Sequence, residues 1–346
     1  MTANTTSLSP VIITGGCGFI GFHLANDLLE RDPKCDIHVI DIDTSRNRIP
    51  GVTYHICDIS SLVDVEAVFA KAKPKTIFHV ALNVVGARNL LISAEKIATV
   101  QAFINTSTSS VIHDNLTDLF NADETFPVLQ YPAQKRVYTL TKAEAETGIL
   151  AANRKNGDSS MLTVSIRPAS TFGERDGVCM GKIVANARAG KAKFQMGPGN
   201  NIYIRLYALI RAYGNPPPPL DMRVDGQSFN VINNEPVKFW EFQRAIAASV
   251  GLPVKMEEIK IIPIWVALLM ANINEWIAWI RTWGKGQPLI TREIIHLTTV
   301  TRTPNGEKAR RVLGYEPRFT MDEGLARAGK WFMEEEKRMQ EAKKTV

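Results

Sequence analysis

Val11-Ile12-Ile13-Thr14-Gly15-Gly16-Cys17-Gly18-Phe19-Ile20-Gly21 is the stretch whose reading decides the fold. Val11 to Thr14 form a short run without polar alternation, as expected of a strand buried on both faces. Gly15, Gly18 and Gly21 follow at the spacing of a strand–turn–helix crossover. Gly15 permits the tight turn, Gly18 lets backbone approach a pyrophosphate, and Gly21 lets the helix pack against the strand. A helix opening at Phe19 and Ile20 offers free N–H groups and the positive end of its dipole to phosphates.

Asp41 ends the next apolar run, at about the 20-residue distance where an acidic side chain accepts hydrogen bonds from adenosine ribose hydroxyls. A carboxylate there repels a 2′-phosphate, which favours NAD. Arg46 and Arg48 lie just downstream and soften that preference, so NADP stays open. Asp58 with Ile59 falls where an adenine edge is met, although a helix N-cap is an equally good reading of Asp58.

Outward from this stretch, β-branched runs at 11–14, 37–40, 76–80, 102–106 and 162–166 alternate with amphipathic stretches at 19–31, 63–71, 86–94 and 138–153. That order predicts an α/β, doubly wound parallel Rossmann-like sheet over 10–170. After Pro168 the texture changes to turn-rich segments, including 197–201 and the four prolines at 216–219. A smaller C-terminal substrate lobe is expected over 171–335, with a strand at 228–232 and helices at 238–250, 306–313 and 321–339.

The segment 261–280 is almost wholly apolar, broken only by Pro263, Asn272, Asn274 and Glu275, and it carries Trp265, Trp276 and Trp279. Two readings stay open: a buried core helix, or a monotopic helix lying in a membrane interface, where tryptophan is favoured. The polar cluster argues against a true span.

Composition narrows the classes. A chain of 346 residues with 45% hydrophobic content buries a substantial core. The net charge of +6 is spread along the chain, which gives a solvated surface and no nucleic-acid site. Cys17, Cys35, Cys57 and Cys179 have no paired short spacing, so no metal site and no redox dithiol is expected. The first ten residues lack the basic flank and apolar core of a secretory signal, which places the chain on the cytosolic side. Asn-x-Ser/Thr triplets at Asn4, Asn105 and Asn115 therefore receive no function.

Tyr138-Thr139-Leu140-Thr141-Lys142 puts a phenol and an ammonium on one helical face. A tyrosine is a poor base at neutral pH, and a neighbouring cation favours its phenolate. Tyr138 can then take an alcohol proton while hydride leaves the carbon. The hydroxyl cluster Thr106-Ser107-Thr108-Ser109-Ser110 follows a predicted strand and sits at the carboxyl edge of the sheet, where ligands bind in such folds.

With these residues in place, the chain resembles the 3β-hydroxysteroid dehydrogenase family of extended short-chain dehydrogenases, and within it the fungal decarboxylating sterol-4α-carboxylate 3-dehydrogenases. The likeness also rests on Ile77-Phe78-His79-Val80-Ala81, on 83–90, on Arg167-Pro168 with Phe172-Gly173, on Phe229-Asn230, Glu235-Pro236 and Phe239-Trp240, and on 308–311 with Leu313-Gly314-Tyr315. The resemblance implies Tyr138 as proton-transfer residue, Lys142 as the group that lowers its pKa and holds the nicotinamide ribose, and Thr108, three residues before Val111, as the catalytic hydroxyl. It carries Asn83 over to the family's asparagine, Ala81 to the cofactor wall, and Pro168 with Ala169 to the segment beside the nicotinamide. It implies oxidation of a sterol 3β-hydroxyl with loss of carbon dioxide, no metal, and the cytosolic face of the endoplasmic reticulum membrane, with the cytoplasm as alternative. A homodimer or a sterol-demethylation complex is the implied assembly. Two apparent gaps, between Ala81 and Asn83 and about 203–209, keep open a silent NAD-binding homologue; another steroid or a small carbonyl substrate is the other alternative.

Overall fold

A computed structural model describes residues 8–344 apart from 158–159, 198–201, 204, 207–221, 234, 284, 287 and 289. The proline run at 216–219 and most of the second apparent gap lie outside the described residues. In chain order the first half reads β1 Val11–Thr14, α1 Phe19–Arg31, β2 Ile37–Asp41, β3 Thr53–Ile56, α2 Leu62–Ala72, β4 Thr76–His79, α3 Val84–Ile97 and β5 Ala102–Thr106. β6 Leu119–Ala122, α4 Val137–Ala151 and β7 Leu162–Pro168 follow.

A seven-stranded parallel sheet holds these together, in the order Gln227–Val231, β7, β5, β4, β1, β2, β3. It is the doubly wound Rossmann-like sheet that the sequence predicts. The strand order reverses between β1 and β4, and the crevice at their carboxyl ends is where ligands bind in open α/β sheets. Helices cover both faces, so the central strands show no alternation of burial: β1, β4 and β5 are buried at every position. One core layer packs Val11, Ile13, Leu24, Leu28, Ile37 and Val39, and Ala309 and Tyr315 join it from far along the chain. The other packs Ile12, Ile40, Val65, Phe69, Leu90, Phe103 and Ile149 under α2, α3 and α4.

Two expectations change. The strand anticipated at 228–232 in the second lobe is Gln227–Val231, and it pairs in parallel with β7 at the edge of the main sheet. Its apolar register, with Phe229 and Val231 buried, suits that sheet's core, so the chain returns to the first lobe after leaving it. β3 was not anticipated: it is an edge strand, Thr-Tyr-His-Ile, with exposed ends and no apolar run to betray it. A separate core under the second lobe gathers Phe172, Met180, Val184, Phe242, Ile246, Met321 and Leu325.

The apolar segment 261–280 divides at Pro263. Lys260–Ile262 pairs with Phe194–Met196, and the helix Ile264–Thr282 follows. Of its side chains only Ala267 and Ala271 are buried, seated against Ile295. Trp265, Leu269, Trp276, Trp279 and Ile280 are all more than half exposed, so the core-helix reading fails. No helix of the described residues is long and apolar enough to cross a membrane.

Candidate active site

The carboxyl edge of the sheet opens into a cavity of about 560 Å³. Its walls bring together Gly15, Gly18, Phe19, Ile20 and Asp41 from the nucleotide motif, Ala81, Thr106 to Ser110, Tyr138 and Lys142 from the middle of the chain, and Pro168 and Ala169 from the end of β7.

The glycine turn is shaped by contact as well as conformation. Gly15 sits at φ +68°, a left-handed value, and a Cβ there would lie 3.1 Å from the backbone nitrogen of Ala81. A Cβ on Gly21 would run into the Gly15 carbonyl oxygen and lie 2.5 Å from the Gly16 Cα. Turn and helix therefore close on each other only with glycine. Gly18 is the N-cap of α1 and brings no side-chain acceptor, so the first turn of the helix presents its N–H groups at the cavity wall.

Asp41 is tied to that turn: its Oδ2 accepts from the Cys17 N–H at 3.1 Å. Arg46 and Arg48 are engaged elsewhere. Arg46 donates to Asp43 at 3.1 Å, and the Arg48 guanidinium lies 4.5 Å above the Tyr54 ring. Neither lines the cavity. Asp58 and Ile59 stay outside it as well. Asp58 accepts from the Ser60 N–H at 2.8 Å, which is turn chemistry, and Ile59 is buried beneath Gly86.

Tyr138 opens α4 on the cavity side, with the Thr108 side chain close enough to favour its phenolate. Thr108 in turn accepts from the Ser110 N–H at 3.2 Å, which fixes its place in the turn after β5. Lys142, one helical turn on, is buried and donates to the carbonyls of Thr106 at 2.6 Å and Ala81 at 3.4 Å. Burial holds its ammonium down to about 8.

The electrostatics of Tyr138 differ from the sequence expectation. Its phenol is pushed up by burial, and the opposing influences are the Arg136 guanidinium and the Thr108 side chain. Spacing puts Lys142 on the same face, but its ammonium is drawn to two carbonyls of the sheet edge. Asn83 also has a different place: it is the N-cap of α3, its Oδ1 accepts from the Gly86 N–H at 3.0 Å, and it does not line the cavity. The shortened connection from Ala81 still opens a 14-residue helix.

His79, Thr14 and Ala81 stiffen the back wall. His79 is fully buried, accepts or donates at Nδ1 with Thr14 Oγ1 at 2.8 Å, and is kept neutral, near 3, by burial and by Lys142. Thr14 Oγ1 also receives the N–H groups of Val80 and Ala81. The Thr14 hydroxyl thus donates to His79 Nδ1 while its oxygen accepts.

Sequence reasoning missed several wall residues, among them His113, Arg136, Ser170, Asp176, Cys179 and Arg302. Arg302 comes from a short strand, Arg302–Pro304, paired in register with Leu119 of β6. Nothing in its local sequence marks it, because only the pairing of distant strands brings it to the site. No group of metal-binding side chains occurs among the described residues.

Comparison with known proteins adds to this geometry. Residues 12–261 match the model of the 3-beta hydroxysteroid dehydrogenase/isomerase family. The chain is 29% identical to the sterol-4-alpha-carboxylate 3-dehydrogenase, decarboxylating, of Saccharomyces cerevisiae, over 95% of this chain and 99% of that one. It is 31% identical to the 3beta-hydroxysteroid-dehydrogenase/decarboxylase isoform 1 of Arabidopsis thaliana, over 91% and 78%. Among solved structures it shares its fold with the dTDP-glucose 4,6-dehydratase of Bacillus anthracis in complex with NAD, at TM-score 0.67, 19% identity and 94% and 97% coverage. A UDP-glucose 4-epimerase of Thermotoga maritima aligns at TM-score 0.66, 18% identity and 94% and 99% coverage.

Proposed function

The chain belongs to the 3-beta hydroxysteroid dehydrogenase/isomerase family, and on that premise we propose that it is a nicotinamide-dependent oxidoreductase of sterol biosynthesis that oxidises the 3β-hydroxyl of a 4α-carboxysterol with loss of carbon dioxide. The observation that carries this reading is one cavity whose walls hold the glycine turn at one side and Tyr138, Thr108 and Lys142 at the other.

The residues present fit a dinucleotide, because glycine at 15 and 21 lets the turn close on the helix, and the uncapped first turn of α1 then faces the cavity with the N–H groups that phosphates need. Gly15, Gly18, Phe19, Ile20, Asp41, Ala81, Pro168 and Ala169 would hold it, and when bound it supplies the hydride acceptor. Asp41 at the wall, with Arg46 and Arg48 committed to Asp43 and Tyr54, supports NAD over NADP.

Thr108 orients the substrate hydroxyl, Tyr138 takes its proton, and Lys142 sets a positive charge in the wall behind them. The resulting ketone stands β to the carboxylate. Its oxygen, hydrogen-bonded by Tyr138, takes up the electrons of the carbon–carbon bond as carbon dioxide leaves. Tyr138→Phe, assayed with NAD and a 4α-carboxysterol, should lose about 10²- to 10⁴-fold in kcat for NADH and carbon dioxide release while keeping its NADH affinity. Equal turnover by wild type and mutant overturns the assignment. NADH binding by a wild type that turns over no sterol would make the chain a silent homologue.

The helix Ile264–Thr282 supports a second part of the reading, an enzyme seated at the cytosolic surface of the endoplasmic reticulum membrane. Its exposed tryptophans suit the headgroup level, and the dissolved substrate is then reached from the lipid. Liposome flotation of the wild type and of Trp276→Glu/Trp279→Glu tests it: the wild type should float and the variant should stay in solution. Light scattering on the same samples separates monomer from homodimer.

A further inference from the structure

The name of the Saccharomyces cerevisiae relative puts the reacting 3-position and the 4-carboxylate of its sterol on neighbouring carbons. A group that reads the carboxylate must therefore lie within one side chain's reach of Tyr138. Two guanidinium groups line the same cavity as Tyr138. Arg136, two residues before Tyr138, has its Cζ 5.7 Å from the Tyr138 ring centroid. Arg302 lines the same cavity from the strand paired with Leu119 and is near enough to Arg136 and to His113 for its charge to act on both.

The two carboxylates in the described wall are engaged by backbone N–H groups. Asp41 is bound to the Cys17 N–H in the glycine turn, and Asp176 accepts from the N–H groups of Val178, Cys179 and Met180. Glu293 meets Arg136 from outside, at 3.4 Å with both side chains substantially exposed. His113 does not add to the charge, since burial keeps its imidazole on the neutral side.

We propose that Arg302, with Arg136 across from it, is the specificity-determining residue that binds the substrate carboxylate beside Tyr138. The assignment rests on the sterol dehydrogenase reading. An arginine fork suits a planar carboxylate, which it binds with two parallel charged hydrogen bonds. Holding the carboxylate at that corner also fixes which face of the sterol ring presents its 3-hydroxyl to Tyr138 and Thr108.

The test compares kcat/KM for NADH formation on a 4α-carboxy-3β-hydroxysterol and on its carboxyl-free counterpart, with wild type, Arg302→Gln, Arg302→Lys and Arg136→Gln. The ratio between the two substrates should fall about 10- to 100-fold in Arg302→Gln, mainly through KM, and recover in part in Arg302→Lys. NADH affinity, followed by fluorescence titration, should stay at the wild-type value. An unchanged ratio overturns the proposal. So does a matching loss of NADH affinity, which would assign the arginine to the dinucleotide's phosphates. Should Arg302→Gln fail to fold, Arg302→Lys and Arg136→Gln decide: a lowered ratio at normal NADH affinity supports the clamp, and a normal ratio in both refutes it. A wild type that oxidises both sterols with equal kcat/KM overturns the clamp and leaves the dehydrogenase reading standing. A wild type that binds NADH and oxidises neither overturns both.

Discussion

α4 and the helix Ile264–Thr282 invert the usual relation between composition and burial. α4 carries Lys142, Glu146 and Thr139 as buried residues, and the far more apolar Ile264–Thr282 buries only Ala267 and Ala271. Glu146 and Arg167 form an ion pair beneath the sheet at 2.9 Å, with Ser165 donating to the same carboxylate. Charge is tolerated inside when its partners are built in, and apolar surface stays outside when something other than the protein's own core is to cover it.

The largest way to break this comparison is to remove one partner of the buried pair. Glu146→Ala leaves the Arg167 guanidinium uncompensated in the interior and should cost about 3–5 kcal/mol in urea unfolding. A loss below about 1 kcal/mol would mean that the pair is not desolvated as its geometry implies.

Lys142 sharpens the comparison through pH. Its folded value, about 8, lies below the ordinary value of 10.5, so folding disfavours its charged form. The penalty is fully present below about pH 8 and fades as the pH rises towards 10.5. Urea titrations of wild type and Lys142→Met should show the stability of the mutant relative to wild type falling by about 3 kcal/mol between pH 7 and pH 10.5. A relative stability that stays flat over that range would place the ammonium in contact with water. In turnover, the same titration should appear as a loss of activity above about pH 8.

The smallest effect belongs to the exposed helix. Trp276→Gln should change stability in solution by less than about 0.5 kcal/mol, because the side chain is 60% exposed. A cost of 2 kcal/mol or more would show that the tryptophan is covered, by a second copy if the cost falls on dilution.

Much of the first lobe was legible because its signals are local. β1, α1 and β5 stand where the residue patterns put them, since a strand buried on both faces is mainly apolar without alternation and a glycine turn of this spacing admits few geometries. β3 and the strand Gln227–Val231 were harder, for opposite reasons. The first is too polar to read as a strand, and the second is apolar enough but says nothing of which sheet will accept it.

The sequence alone determined the sheet, the nucleotide turn and the pairing of Tyr138 with Lys142 on one helical face, because each depends on residues within a turn or two of one another. Only the tertiary structure decided that the Lys142 ammonium reaches the carbonyls of Thr106 and Ala81, that Asn83 caps a helix, and that Arg302 stands in the same wall as Tyr138. Those outcomes depend on which strands pair across the chain, and pairing is set by packing over the whole core.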